Sequence, residues 1–64
     1  MTQKRHYVSP ERQRILDAAT ILTAFGADAG AKALYHAFVR DLLGDSMGAQ
    51  FWIDVYRVIV ARRR

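Results

Sequence analysis

The chain of 64 residues contains no cysteine. Disulfide bridges and metal sites built on thiolates are therefore excluded as supports for its fold. A domain of this length buries only about 60% of the surface that its unfolded chain exposes, so its core alone stabilises it weakly. Association with a second subunit is the remaining common support for so small a fold. The lack of cysteine therefore favours self-association.

Long apolar runs are also lacking. No apolar segment approaches the ~18 residues that cross a bilayer, because Asp54 and Arg57 interrupt the most hydrophobic stretch, residues 51–60. The basic start at residues 4–6 leads into Tyr-Val-Ser-Pro and not into the apolar segment of a secretory signal. We therefore predict a cytoplasmic protein with no membrane span.

The single proline and two of the four glycines divide the chain into three periodic segments. Ser9 and Pro10 favour a helix start, because the hydroxyl group can cap the helix and proline suits its first position. Gly26 and Gly44 each follow an apolar periodic segment and predict helix ends, since glycine readily adopts the left-handed conformation that stops a helix. The following helices have short polar residues as candidate N-caps: Asp28, and Asp45 or Ser46.

These signals predict an all-α fold. We expect a small three-helix bundle with helices over residues 10–25, 29–43 and 46–62, forming a single domain over residues 9–64. Residues 1–8 carry no periodic pattern and predict a flexible basic arm. No segment predicts a strand. We expect self-association to complete the bundle.

The third helix is apolar over most of its circumference, which predicts that it is the central packing element. One stripe contains Met47, Phe51, Val55, Val58 and Ile59, with Trp52 at its edge. A second stripe contains Ala49, Ile53, Tyr56 and Val60. The first helix is expected to bury Ile15, Ala18, Ala19, Leu22 and Phe25. The second helix has an apolar side composed of Ala31, Leu34, Tyr35, Phe38 and Leu42.

The second stripe of the third helix predicts an interface. We expect an apolar surface composed of Ile53, Tyr56 and Val60 with Val39 and Leu43 of the second helix. An exposed patch of this kind is unusual on a monomer, and a two-fold dimer interface uses the same patch twice. The partner is then a second copy, giving a dimer, or another protein that the sequence does not identify. Alternatively, the first two helices cover both stripes within one subunit.

The net charge of +4 is concentrated at the two ends of the chain, and the middle is mildly acidic. Lys32, His36 and Arg40 are four residues apart and share one helical face, which could follow a phosphate backbone. The alternative is an ordinary solvated helix face, with the terminal arginines interacting with a helix dipole. The candidate nucleic-acid contacts are Lys4, Arg5, Lys32, His36, Arg40, Arg62, Arg63 and Arg64.

Residues for catalysis or metal binding are scarce. Both serines are explained as helix caps, and His6 and His36 have no nucleophile at a spacing that would bring it near. No paired-histidine or calcium-loop spacing occurs. We therefore predict a protein that is not an enzyme and that has no cofactor and no metal site.

The two junctions at Gly26 and Gly44, together with the segment 44–49 and the following Trp52 and Val55, resemble a pattern in short uncharacterised all-helical proteins of bacteria. Those proteins also end in a Trp-bearing helix after a Gly-Asp turn. The resemblance covers roughly residues 15–60; it implies a bacterial or phage-borne source and no particular activity.

Two functional hypotheses follow from these features. The first is a small protein-interaction module or regulator that acts through an apolar surface on the C-terminal helix. The alternative is a small basic nucleic-acid-binding regulator that uses the N-terminal arm, the Lys32/His36/Arg40 face and the C-terminal arginines.

Overall fold

A computed structural model describes residues 8–63 and contains three α-helices. They are α1 (Pro10–Ala24), α2 (Ala29–Leu42) and α3 (Ser46–Arg62), and the described residues contain no strand. The chain is a small all-α three-helix bundle, and the predicted helix bounds are confirmed to within one residue at each end. The predicted basic arm lies outside the described residues except for Val8.

Helix α1 begins as its capping residues predict. Ser9 has an extended backbone (φ −61°, ψ 153°), and its hydroxyl oxygen accepts a hydrogen bond of 3.1 Å from the N–H of Arg12. Pro10 occupies the first helical position, and Glu11 lies in the first turn, where a negative charge interacts favourably with the helix dipole.

The turn between α2 and α3 ends one helix and caps the next. Gly44 has φ +79°; its N–H donates to Asp41 O at 3.0 Å, and the N–H of Asp45 donates to Arg40 O at 2.9 Å. These two bonds form a Schellman motif, which satisfies carbonyl groups at the end of α2. The Asp45 carboxylate then accepts from the N–H of Gly48 at 2.8 Å, so Asp45 is the cap of α3.

Gly44→Ala should lower the free energy of unfolding by about 1–2 kcal/mol, because an L-residue in the left-handed region is strained. A Cβ atom at this position would meet no atom within 4 Å, so the whole effect should come from the backbone. The matched control is Gly30→Ala, within α2, where the new Cβ would lie 3.5 Å from Tyr56 Cε1 in ordinary contact. The control should leave stability unchanged or raise it by up to about 1 kcal/mol. Urea denaturation of both variants checks the difference, and equal effects would contradict it.

Helix α3 is the central element, as the sequence predicts. Both α1 and α2 pack on it and have little contact with each other. Between residues 51 and 60 only Arg57 is exposed. Helices α2 and α3 are antiparallel, because Gly30 near the start of α2 lies against Tyr56 and Ile59, whereas His36 stacks on Trp52, earlier in α3.

The buried core is made largely of small side chains. Its larger members are Ile15 from α1 and Val55, Val58 and Ile59 from α3, and the other buried apolar residues are alanines: Ala19, Ala29, Ala33, Ala37 and Ala49. Alanine lets two helix backbones approach closely, so that the larger side chains of α3 fill the space between them. The thin core expected from the chain length is therefore observed.

Helix α2 packs on α3 through a side made of small residues, and its large apolar residues lie on the opposite side. The side against α3 consists of Ala29, Gly30, Ala33 and Ala37, which we call the inner face. The predicted apolar side, composed of Ala31, Leu34, Tyr35, Phe38 and Leu42, is exposed, and we call it the outer face. At 100° per residue the two faces lie on opposite sides of the helix. Phe38, on the outer face, is therefore 59% exposed.

The prediction that Phe25 is buried is also wrong. Phe25 follows the last residue of α1 and is 74% exposed. Its N–H donates to Leu22 O at 3.0 Å, which ends the helix at Ala24. The other members of the predicted α1 face are buried or partly buried: Ile15, Ala18, Ala19 and Leu22.

Candidate interaction surface

The outer face of α2 presents large apolar side chains to solvent along the whole helix. Its four large members, Leu34, Tyr35, Phe38 and Leu42, have exposed fractions between 44% and 69%. They recur at spacings of three and four residues and therefore form one continuous stripe. No charged residue interrupts this stripe.

Further exposed apolar residues lie beyond both ends of α2 in the sequence. At the C-terminal end, Leu43 and Met47 are 70% and 85% exposed. At the N-terminal end, the exposed Phe25 precedes the helix by four residues. The outer face therefore has an apolar residue beyond each end.

The exposed apolar area is large for a chain of this size. Six side chains (Leu34, Tyr35, Phe38, Leu42, Leu43 and Met47) together expose on the order of 600 Å². The largest apolar patch on an ordinary monomer is about 300–600 Å² and is often functional. The summed exposure of these six residues is therefore at the top of that range.

The residues of the predicted interface on α3 are partly buried within the chain. Ile53, Tyr56 and Val60 are partly buried, and Tyr56 packs against the core beside Gly30. Val39 is also partly buried, and Leu43 alone among the five is exposed. The packing of Tyr56 against the core agrees with the alternative in which the helices of one subunit cover both stripes, and the interface on α3 stays a prediction. The sequence of α2 has small residues on the inner face and large apolar residues on the outer face. This pattern could have located the exposed surface.

The basic stripe of α2, which consists of Lys32, His36 and Arg40, has partners within the chain. Lys32 Nζ lies 3.9 Å from Asp28 Oδ1, as the helical spacing predicts, and Arg40 Nη1 lies 3.7 Å from Asp45 Oδ2. The ring of His36 stacks on that of Trp52, with centroids 4.4 Å apart and planes inclined by 26°. These contacts agree with the interpretation of the stripe as an ordinary polar helix face.

The other candidate nucleic-acid contacts are not brought to this stripe. Arg62 lies at the end of α3, where its Nη1 donates to Thr20 Oγ1 of α1 at 3.0 Å. Arg63 follows it as an exposed residue. Lys4, Arg5 and Arg64 lie outside the described residues.

A cleft of about 220 Å³ lies at the same end of the molecule. Its lining is mainly small or apolar, with two arginines: Thr23, Gly26, Ala27, Ala29, Ile59, Arg62 and Arg63. Its volume is below the 300–1,000 Å³ of typical small-molecule sites. Thr23 and both arginines are exposed, so the lining has no buried polar side chain that would orient a ligand.

Within residues 8–63, no group of three or more histidine, cysteine, aspartate or glutamate side chains is placed to hold a metal ion. No helix in this part of the chain has the length and hydrophobicity to cross a membrane.

The fold and surface define a class: a small three-helix bundle with an exposed apolar helix face. No protein family, curated protein or solved structure matches the chain. The resemblance to short bacterial helical proteins therefore stays a prediction from the sequence.

Proposed function

We propose that this protein is a non-enzymatic protein-interaction module that docks through the outer face of α2 together with Leu43 and Met47. The observation that carries the proposal is the continuous exposed stripe of Leu34, Tyr35, Phe38 and Leu42. The sequence-based hypothesis assigned this role to α3. The partial burial of Tyr56 against the core favours α2 in its place.

Burial of this surface by a partner is energetically favourable. Removing a large apolar side chain from water contributes about 1.5–3 kcal/mol, although ordering and the loss of free motion offset much of the total. Because α2 packs on α3 through the inner face and His36, a partner could cover the outer face without rearrangement of the fold. The surface is therefore preformed for association.

Self-association stays part of this proposal. The cytoplasmic location also stays a prediction from the sequence.

The nucleic-acid hypothesis has no specific structural observation in its favour, because the three members of the α2 stripe have partners within the chain. Salt dependence separates the two hypotheses. Binding through phosphate contacts should weaken steeply from about 50 to 200 mM salt, whereas an apolar interface should not.

Site-specific photocrosslinking in the native host tests the docking surface. A photoreactive phenylalanine analogue in place of Phe38 should give covalent protein adducts, because the ring lies at the middle of the exposed stripe. The matched control carries the analogue in place of Arg14, which is exposed on α1. Adducts from position 38 should disappear when Leu42→Glu is added, because the charge opposes burial of the face. Adducts no more abundant at position 38 than at position 14 would overturn the proposal.

A further inference from the structure

We infer that the occupant of the outer face of α2 is a second copy of this chain, packed as an antiparallel α2–α2 pair. A two-fold axis midway between Tyr35 and Phe38 relates the two copies. The inference rests on the proposed function, because it names the partner of the same surface.

The area available on one copy is at the lower end of what a dimer of standard size buries. The six exposed side chains on and beside the outer face offer on the order of 600 Å², and a typical stable interface buries about 800 Å² per partner. The exposed Phe25 at the other end of α2 adds to this surface. A second copy supplies an equal apolar area, so neither face remains exposed after pairing.

The chemistry of the face also favours a copy of itself. Its five members are all apolar, so pairing two such faces buries no charged group. The neighbouring cations Lys32 and Arg40 have acidic partners in their own chain, so they need none from the other subunit. Among the described residues, only Ile15, Val55, Val58 and Ile59 in the buried core are larger than alanine, and a second copy would add a second buried apolar layer on the other side of α2.

The spacing within α2 favours an antiparallel register. The face runs from Ala31 to Leu42, and full overlap of two antiparallel faces puts the axis at the middle of this span. Ala31 then lies opposite Leu42 of the second copy, and Tyr35 lies opposite its Phe38. A small residue thereby faces a large one at each end of the pair, two aromatic rings meet at its middle, and the two helix dipoles oppose each other favourably.

The same register accounts for the apolar residues beyond the ends of α2. Antiparallel pairing brings the start of α2 in one copy beside the end of α2 in the other. Phe25 precedes α2, and Leu43 and Met47 follow it, so Phe25 of one copy comes to the same end as Met47 of the other. The exposed side chains at the two ends then contribute to one continuous interface.

Thiol crosslinking tests the register, because the chain has no cysteine of its own. A mixture of Ala31→Cys and Leu42→Cys chains should be joined efficiently by a short bismaleimide. Either variant alone should crosslink poorly, because an antiparallel pair separates equivalent positions by about 16 Å along the helix. A parallel pair would reverse this pattern and overturn the inference. The absence of any crosslinked product would also overturn it.

Sedimentation at micromolar concentration tests the partner. The wild-type chain should have twice the monomer mass of 7.3 kDa. Phe38→Glu should return it to 7.3 kDa with the helical circular dichroism retained, since Phe38 is outside the buried core. Arg14→Glu, an exposed change on α1, should remain dimeric.

The two proposals fail in different ways. A wild-type chain that is strictly monomeric overturns the inference. If position 38 still forms adducts with another protein in the host, the proposed docking function is retained. If position 38 forms no adducts above the control either, both proposals are overturned.

Discussion

Ile59→Ala should lower the free energy of unfolding by about 2–5 kcal/mol. Ile59 is 2% exposed and is one of the two largest fully buried side chains of the structure. It lies in the core cluster that joins the three helices, so its truncation leaves a cavity between elements that cannot close independently. A 64-residue domain has a total stability of roughly 3–10 kcal/mol, so the loss is a large part of it. Urea denaturation followed by the fluorescence of the single tryptophan measures the change.

The matched control is Ile21→Ala, the same chemical change on α1. Ile21 is more than half exposed, so its truncation removes few contacts, and the cost should stay below about 1 kcal/mol. Both variants should be compared at one protein concentration, because association would make apparent stability depend on concentration. Equal losses at positions 59 and 21 would contradict the assignment of Ile59 to the centre of the core.

Ala33→Leu should have the second largest effect, a loss of about 1–3 kcal/mol or more. Ala33 is completely buried on the inner face of α2, where its small size sets the distance between α2 and α3. A leucine there must push the helices apart or adopt a strained rotamer. Separation of the helices should also disturb the stacking of His36 on Trp52. The emission of Trp52 in the native state therefore provides a second measurement.

Leu34→Ala at the neighbouring position is the control. Leu34 belongs to the outer face and is partly exposed, so its truncation should change the stability of the subunit by less than about 1 kcal/mol. Its main effect should be on self-association, which sedimentation measures. An Ala33→Leu chain as stable as the wild type, or a Leu34→Ala chain that unfolds, would contradict the assignment of the two faces.

Local chemistry made much of the fold predictable. The capping hydroxyl of Ser9, the proline after it and the positive φ of Gly44 act within a few residues of the chain, so sequence patterns identify them directly. The antiparallel arrangement of α2 and α3 follows from the short turn between them. The central place of α3 follows from its apolar circumference, which other helices must cover.

The candidate surface was only partly predictable. A helix with apolar residues on two opposite sides can pack by either, and the larger side chains of α2 suggested the wrong one. In the structure, α2 packs on α3 through its alanine-rich inner face. The bulky side chains come from α3, and small residues on α2 leave space for them. The exposed apolar surface therefore lies at Phe38 and its neighbours on α2. The sequence had predicted it at Tyr56 and its neighbours on α3.

The sequence by itself determined the all-α class, the three helices and their caps, and the presence of more apolar surface than a short chain buries easily. Those properties depend on neighbouring residues and on composition. Only the tertiary structure decided which face of α2 is covered, that Tyr56 packs against the core and that Phe25 is exposed. These outcomes depend on how side chains of different size fit between helices distant in sequence, and helical periodicity carries no information about that fit.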